Sequence, residues 1–181
     1  MTVKIEERKK ISLPLSREKA RQLKAGELLY LEGVVYTARD AAHKRLLEEI
    51  NEGKDPPVPM QDLAIYYAGP CPAPPGEVIG SVGPTTSSRM DAYAPALIEM
   101  GQTVMIGKGL RKEAVIDAQK KYGAVYLGAT GGAGALLAQK VISSEIIAYP
   151  DLGAEAIRRL EVKDFPVIVL IDSDGNSLYS R

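Results

Sequence analysis

The sequence has very few side chains of the kinds that ligate metals or form disulfides. Its 181 residues include one cysteine, Cys71, and one histidine, His43. These counts exclude a disulfide within the chain and a self-contained zinc or iron–sulfur site of three or four cysteine and histidine ligands. The low cysteine content fits a reducing compartment. A lone cysteine in a proline-rich loop, as Cys71 is, is more often inert than catalytic.

The chain also lacks net charge and long apolar runs. It has 23 basic and 23 acidic residues, so its formal net charge is zero and no overall field attracts nucleic acid or an anionic membrane. No apolar run reaches the roughly 18 residues of a membrane span, and the first ten residues are charged rather than signal-like. We therefore expect a cytoplasmic protein with no nucleic-acid or membrane partner. Any anion must be recognised locally.

Strands and helices alternate along much of the chain, which predicts an α/β fold. The length suits a single domain spanning residues 1–181, with residues 1–10 expected to fray. The strongest helical pattern covers residues 40–52, and a turn at Glu32 and Gly33 is predicted to join two strands of a hairpin. The other predicted elements are strands at 64–68, 104–106, 124–127, 141–148 and 167–171, and helices at 16–24, 90–100, 112–122, 133–138 and 154–160.

Residues 83–91, Gly-Pro-Thr-Thr-Ser-Ser-Arg-Met-Asp, concentrate hydrogen-bond donors in a segment with little apolar content. Thr85 and Thr86 supply adjacent hydroxyls, and Arg89 can clamp a carboxylate or phosphate through two parallel hydrogen bonds. Amides at a helix start also favour anions. The segment therefore predicts an anion-binding loop. The alternative is an ordinary helix cap by Thr86 or Ser87, with Arg89 in solvent.

Two other segments supply cations that suit the same ligand. Lys108 lies between two glycines after a predicted strand, and glycine lets the backbone approach a ligand closely. Arg39 precedes the strongest helix, where the charge of Asp40 suits the helix dipole. His43 follows one turn later and is interpreted as a partly buried structural histidine. The alternatives are a solvated lysine in a turn and a surface arginine.

Residues 128–134, Gly-Ala-Thr-Gly-Gly-Ala-Gly, follow a predicted strand and open a helix. No offset gives the GxGxxG pattern of dinucleotide sites, and the Gly-Lys pair at 107–108 lacks the other residues of a phosphate-binding Walker loop. We interpret 128–134 as a turn that lets a helix pack closely or that lines the back of a site. Asp172 and Asp174 are interpreted as turn residues rather than metal ligands.

Taken together, several motifs resemble the beta region of the iron–sulfur-dependent class I fumarate hydratases and L-tartrate dehydratases. They are Tyr-Thr-Ala-Arg-Asp-Ala-Ala-His-Lys-Arg at 36–45, the motif at 83–91, Gly-Lys-Gly at 107–109, Ala-Thr-Gly-Gly-Ala-Gly-Ala at 129–135 and Asp-Phe-Pro at 164–166. The resemblance extends from about residue 10 to the C-terminus. It implies a swivelling β/β/α domain with a mixed sheet and flanking helices.

The resemblance implies the beta subunit of a hydro-lyase that adds water reversibly to fumarate to give L-malate. It further implies a hetero-oligomer in which a separate fumarase alpha subunit holds a [4Fe-4S] cluster through three cysteines, since this chain has one. The beta subunit of an L-tartrate dehydratase is the nearest alternative. A non-catalytic module that binds anions or assembles with a partner is the alternative from another class.

The resemblance also implies roles for single residues. The positions that match carboxylate- and hydroxyl-binding residues of the family are Arg39, Thr86, Arg89 and Lys108. Thr85 matches a threonine proposed to move the proton at the carbon next to a carboxylate, so the expected catalytic residues are Thr85 and Lys108. A threonine hydroxyl is a poor base near neutral pH, and Thr85 is therefore expected to relay the proton to another group. Asp40 and His43 are expected to support the binding residues.

Overall fold

The computed structural model describes residues 7–129 and 133–180. Within them, seven strands form one mixed sheet: β1 Lys9–Ser12, β2 Leu28–Thr37, β3 Ala64–Tyr66, β4 Val104–Gly107, β5 Val125–Gly128, β6 Val141–Ala148 and β7 Ile157–Ile171. The helices are α1 Arg17–Ala20, α2 Asp40–Asn51, α3 Ala94–Met100, α4 Glu113–Tyr122 and α5 Gly134–Ala138, with 3₁₀ turns at Ser87–Met90, Pro150–Glu155 and Leu178–Ser180. The α/β class, the mixed sheet and the flanking helices are confirmed.

Five of the strands pair in a closed ring. β2, β3, β4 and β5 are parallel neighbours in that order, and β7 is antiparallel to both β5 and β2, which completes the circuit. Because successive side chains of a strand point to opposite faces, each strand serves two cores. Side chains that fill the inside of the ring include Tyr66, Ile106, Leu127 and Phe165. Side chains that pack beneath α2, α3 and α4 include Ile65, Met105 and Tyr126.

Helix α2 forms where the apolar spacing predicts it. Ala42 and Leu46 face the core, and the chain leaves the helix through Gly53, whose φ of 83° favours glycine. Arg39 is the residue before the helix and keeps an extended backbone, with φ −121° and ψ −162°. Its carbonyl therefore accepts the first hydrogen bond of the helix while its side chain lies outside it.

The predicted hairpin turn at Glu32 and Gly33 is wrong, because β2 runs without a break through both residues. Gly33 is needed for another reason: its φ is 125°, and a Cβ there would lie 2.5 Å from the carbonyl oxygen of Leu13. Opposite Glu32, β7 carries two residues, Lys163 and Asp164, so the pair contains a bulge. A glycine that a close backbone contact requires within a strand resembles a turn glycine in sequence.

The predicted helix at 154–160 is also wrong. The chain makes the 3₁₀ turn Pro150–Glu155 and then enters β7, the longest strand at 15 residues. Ile157 and Leu160 are both buried and three apart, which imitates helical spacing. The two side chains lie on opposite faces of the strand, Ile157 in the core beneath the helices and Leu160 inside the ring. From Leu160 onward burial alternates, with one break at Lys163 and Asp164. The predicted helix at 90–100 is shorter than expected, since α3 begins at Ala94 with Pro95 in its first turn.

Residues 8–10 are part of the fold, although residues 1–10 are expected to fray. Lys9 and Lys10 belong to β1 and pair with β2, and the Arg8 guanidinium donates to the carbonyls of Leu29 and Val167 at 3.2 and 2.9 Å. Residues 1–6 lie outside the described part of the chain. No helix of the described residues is long and apolar enough to cross a bilayer.

The parallel strands β2 to β5 end at one edge of the sheet. Residues 38–39 follow β2, 67–69 follow β3, 108–112 follow β4 and 129 follows β5. In open α/β sheets, ligands bind outside the carboxyl ends of such strands, where loops from neighbouring strands meet. The predicted site segments are thus placed at this edge by the topology.

Candidate functional site

The loop with the predicted threonines is bonded to the ends of β3 and β4. The Thr85 N–H donates to the carbonyl of Tyr67, just beyond β3, at 2.7 Å. Thr86 forms a parallel bridge with Lys108, the residue after β4. The side chains of Thr86 and Lys108 are both exposed, and Thr85 is partly buried. The structure therefore places these three residues next to each other at the carboxyl edge of the sheet.

Ser87 stabilises the bridge between Thr86 and Lys108 from the buried side. Its N–H donates to the Lys108 carbonyl at 2.9 Å, and its buried hydroxyl accepts the Lys108 N–H at 3.0 Å. Thr86 precedes the 3₁₀ turn Ser87–Met90, but its hydroxyl makes no capping hydrogen bond. The alternative interpretation of Thr86 or Ser87 as a helix cap is thus not what the structure shows. The Thr86 hydroxyl stays available at the surface.

Arg89 is joined to the segment that carries Arg39. Its Nη2 lies 2.5 Å from Oδ2 of Asp40, the first residue of α2. About half of the Arg89 side chain remains exposed, so the guanidinium keeps donors that face solvent. Exposed ion pairs contribute roughly 0–1 kcal/mol, so this pair adds little to stability and can orient Arg89 while its other donors stay available.

The Arg39 side chain lies in a narrow space made by a glycine. A Cβ on Gly69 would sit 3.1 Å from Cδ and 3.2 Å from Nη1 of Arg39. Arg39 Nε is buried and has no hydrogen-bond partner among the described residues; the nearest carboxylate oxygen, Oε1 of Glu155, is 3.9 Å away. Buried donors are nearly always paired, so this N–H is available to an acceptor from outside the described residues.

His43 fixes the backbone of Arg39. The side chain is fully buried, and its Nδ1–H donates to the Arg39 carbonyl at 2.9 Å. The ring packs against Tyr67 and Tyr93, with centroids 5.4 and 5.9 Å away. Burial lowers the pKa of His43 to about 4, so the imidazole is neutral at pH 7. We assign His43 to support of Arg39.

The glycine-rich turn packs closely at its described end. A Cβ on Gly134 would lie 2.9 Å from the backbone nitrogen of Gly83 and 2.3 Å from Oγ of Ser81. The Val82 N–H donates to the Gly134 carbonyl at 3.1 Å. The start of α5 therefore rests on the segment that leads into Thr85, as the close-packing interpretation predicts. Residues 130–132 lie outside the described part, and their role in lining the site stays a prediction.

The described residues do not fit a metal or cluster site. They contain no group of three histidine, cysteine, aspartate or glutamate side chains that could hold an ion, and Cys71 is an exposed single thiol. Asp172 organises a turn instead: its carboxylate accepts the backbone N–H groups of Ala25, Asp174 and Asn176. An iron–sulfur cluster needs thiolates that this chain does not have.

Sequence reasoning gave no role to a buried polar network behind the site. Arg111 and Asp91 form a fully buried ion pair, and the hydroxyls of Tyr67 and Tyr126 lie close by. One signal was available, since a tyrosine in an otherwise apolar strand needs a polar partner for its hydroxyl. Nothing in the spacing of Arg111 marks it, because its partner lies 20 residues away.

Comparison with known proteins adds the family. A family model described as Fumarase C-terminus matches residues 2–181. The chain is 45% identical over 155 residues to the class I aerobic fumarate hydratase of Escherichia coli K12, which is 84% of this chain and 28% of that protein. It is 40% identical over 167 residues to fumarate hydratase 2 of Leishmania major, covering 91% and 29% respectively. It is 39% identical over 173 residues to the putative L(+)-tartrate dehydratase subunit beta of Methanocaldococcus jannaschii, covering 92% and 89%. The chain thus spans less than a third of these fumarate hydratases but most of the tartrate dehydratase subunit.

Proposed function

Since the chain belongs to the Fumarase C-terminus family of hydro-lyases, we propose that it is the beta subunit of an iron–sulfur enzyme that hydrates fumarate reversibly to L-malate. In this proposal it binds the substrate carboxylates at an interface with a separate alpha subunit, which holds the [4Fe-4S] cluster. The similarity over most of a relative named as a beta subunit supports a two-chain enzyme. The matches to fumarate hydratases support the substrate.

The observation that carries the proposal is the convergence of three cationic side chains at one edge of the sheet. Arg39 follows β2 and Lys108 follows β4, while Arg89 lies on the loop that Thr85 bonds to the end of β3 and Thr86 to the end of β4. A dicarboxylate brings two negative charges, and charge-assisted hydrogen bonds from arginine and lysine are the strong kind. A packed core has no use for this set of donors.

The surroundings of each of the three cationic side chains suit one group of the substrate. Arg89 presents a planar fork beside Thr86 and suits two-point binding of one carboxylate. Arg39 has a buried Nε–H without a partner among the described residues, which suits the second carboxylate. Lys108 is an exposed point charge and suits the negative charge that develops on the carboxylate as the adjacent carbon loses its proton. The described residues offer no cluster ligands, so this chain's part is to bind, orient and relay.

Thr85 is proposed as a proton relay and not as the final base. Its backbone is fixed by the bond from its N–H to Tyr67, and its side chain is partly buried at the site. A threonine hydroxyl is too weak a base to keep the abstracted proton near pH 7, so a second group must accept that proton. His43 is a poor candidate, because its ring is fully buried and burial lowers its pKa to about 4. We place the accepting group on the partner subunit.

The second candidate is an L-tartrate dehydratase beta subunit. It is favoured by the relative that the chain covers over most of its length, whose name is that of such a subunit. The two substrates share the carboxylates that Arg39 and Arg89 are proposed to bind and differ in hydroxyl groups. Measuring kcat/KM for fumarate and for L-tartrate with one reconstituted complex separates the two candidates. A higher value for tartrate would reject fumarate as the substrate.

The proposal is tested by reconstituting the chain anaerobically with its alpha subunit and following fumarate hydration. Arg89→Ala should lower kcat/KM by about 30- to 5,000-fold, since losing the partner of a bound carboxylate costs about 2–5 kcal/mol. Arg45→Ala is the matched control, because Arg45 makes a two-point surface pair with Asp151 at 2.8 Å outside the proposed site. Full activity of the Arg89→Ala complex would overturn the site assignment.

A further inference from the structure

A buried ion pair joins the two loops that carry the proposed site residues. Arg111 Nε lies 2.7 Å from Asp91 Oδ1, and neither side chain has more than 1% of its surface exposed. Asp91 comes two residues after Arg89, and Arg111 comes three residues after Lys108. The other carboxylate oxygen of Asp91 accepts the N–H of Lys112 at 2.7 Å. The pair therefore fastens the end of one loop to the end of the other.

The Arg111 guanidinium is held on its remaining sides. Its carbon lies 5.3 Å from the ring centroid of Tyr67 and 4.7 Å from that of Tyr126, and Nη2 donates to the Tyr67 hydroxyl at 3.3 Å. The Tyr126 hydroxyl donates to the Gly109 carbonyl at 2.8 Å and lies 2.9 Å from Ser87 Oγ. The network thus ends on groups that flank Lys108.

Tyr67 links this network to the other site segments. Its carbonyl accepts the Thr85 N–H at 2.7 Å, and its ring packs edge-on against His43, which holds the Arg39 carbonyl. The segments of Arg39, Thr85 and Lys108 therefore share one buried support. The Arg89 and Lys108 side chains lie at the surface beyond it, and the Arg39 side chain is partly buried.

A buried ion pair is a poor means of gaining stability. Removing two charges from water costs several kcal/mol per ion, and apolar replacements of similar volume are often as stable or more so. The position of this pair between the two loops therefore indicates that it holds their relative geometry. Two exposed cations on separate loops repel each other, and catalysis loses about 10²-fold when a reacting group is misplaced by about 1 Å.

Building on the proposed function, we propose that Asp91 and Arg111 are positioning residues that fix Arg89 and Lys108 relative to each other for dicarboxylate binding. Neither residue is exposed to the substrate side, so each acts through the loop that it anchors. The fold alone does not require this pair. Two apolar side chains would fill the space but would leave the Lys112 N–H without its carboxylate partner.

The test compares the double variant Asp91→Leu/Arg111→Met with Gln119→Met in the full chain. The double variant removes both charges together, so no unpaired ion is left. Gln119 is the control, since it is buried and donates to the carbonyls of Ala124 and Ile171 at the opposite edge of the sheet. Three quantities are measured: the Tm, amide hydrogen exchange in peptides covering 84–92 and 106–112, and kcat/KM of the reconstituted complex.

We expect the double variant to stay folded with a Tm roughly 2–12 °C below that of the wild type, because the Lys112 N–H loses its acceptor, while amides in both peptides exchange about 10-fold faster or more. With a positional error of about 1 Å, kcat/KM should fall on the order of 10²-fold. Gln119→Met should leave exchange in both peptides unchanged. Wild-type exchange in both peptides of the double variant, or wild-type kcat/KM in an active complex, would overturn the proposal.

The exchange measurement separates this proposal from the proposed function. If the wild-type complex does not hydrate fumarate, the function fails, yet exchange in the isolated chain still decides whether the pair positions the loops. If the double variant does not fold, Arg111→Lys replaces it, since lysine keeps the charge but loses the fork and the stacking on two rings. If that variant shows wild-type exchange and wild-type kcat/KM, the proposal that Asp91 and Arg111 position the two loops is overturned as well.

Discussion

Gly107 is the position where one added methyl group should disturb the site most. It ends β4 directly before Lys108, and a Cβ built on it would lie 1.9 Å from Ser87 Oγ and 2.9 Å from Tyr67 Cδ2. Real Cβ contacts essentially never fall below 3.0 Å, so the gap must open by about 1 Å. Since the Ser87 hydroxyl accepts the Lys108 N–H, Gly107→Ala must break that bond or move the whole loop.

The cost has two parts. Overpacking of a tight interior costs about 1–3 kcal/mol, and a partly buried N–H left without its acceptor costs about 1–3 kcal/mol. The loop can relax, so we expect Gly107→Ala to lose about 2–4 kcal/mol of unfolding free energy. At about 2–4 °C per kcal/mol, the Tm should fall by roughly 5–15 °C. Displacing Lys108 by about 1 Å should lower kcat/KM of the reconstituted complex on the order of 10²-fold.

Calorimetry or circular dichroism of the chain and fumarate hydration by the complex measure the two effects. Gly109→Ala is the matched control, because its Cβ would meet nothing closer than Thr86 Cγ2 at 3.9 Å, and its φ of 86° costs about 1–2 kcal/mol. In a Ser87→Ala background, Gly107→Ala should cost less than in the wild type, since the closest atom is gone. Wild-type Tm and kcat/KM for Gly107→Ala would refute the reasoning.

Two further predictions concern the groups that support the arginines. The pKa of His43 is about 4 because the imidazole is buried, against about 6.5 when unfolded, so only the unfolded chain gains this proton as the pH falls from 6.5 to 4. Unfolding free energy should therefore drop by up to about 3 kcal/mol over that range, and His43→Asn should lack this part of the slope in urea titrations; equal slopes would contradict it. Asp40→Asn should raise KM for the dicarboxylate by up to about 5-fold with little change in Tm, because the exposed pair with Arg89 is worth roughly 0–1 kcal/mol; a lower KM would mean that Asp40 competes with substrate.

The segments of the candidate site could be predicted from the sequence because they are short-range features, while their roles stay predictions. Arg39 and Asp40 start a strongly periodic helix, and Lys108 sits between glycines after a short apolar strand. Parallel strands then bring such loop residues to one edge, which follows from the topology of an α/β sheet. The sequence pattern identifies each segment and the functional groups that the segment carries. It does not show which hydroxyl faces outward: Ser87 is buried and structural, while Thr86 is exposed.

The elements predicted wrongly are strands whose local pattern resembles another element. Gly33 lies where the backbone of Leu13 approaches a continuous strand, and Ile157 and Leu160 are buried three apart on opposite faces of β7. Over a short window, the first pattern resembles that of a turn and the second that of a helix. β7 becomes recognisable over its full length, where burial alternates from Leu160 to Ile171 on either side of the bulge at Asp164. The network of Arg111 and Asp91 was missed because its contacts are tertiary and no periodicity reports them.

The central claim is that this chain holds half of a dicarboxylate site and that a partner subunit supplies the other half. Isothermal titration of fumarate and L-malate into the isolated chain, into the anaerobic complex and into the complex with Arg89→Ala tests it most directly. We expect weak or undetectable binding to the isolated chain, clear binding to the complex, and loss of that binding with Arg89→Ala. Equally tight binding to the isolated chain would contradict the shared site and favour an independent anion-binding module.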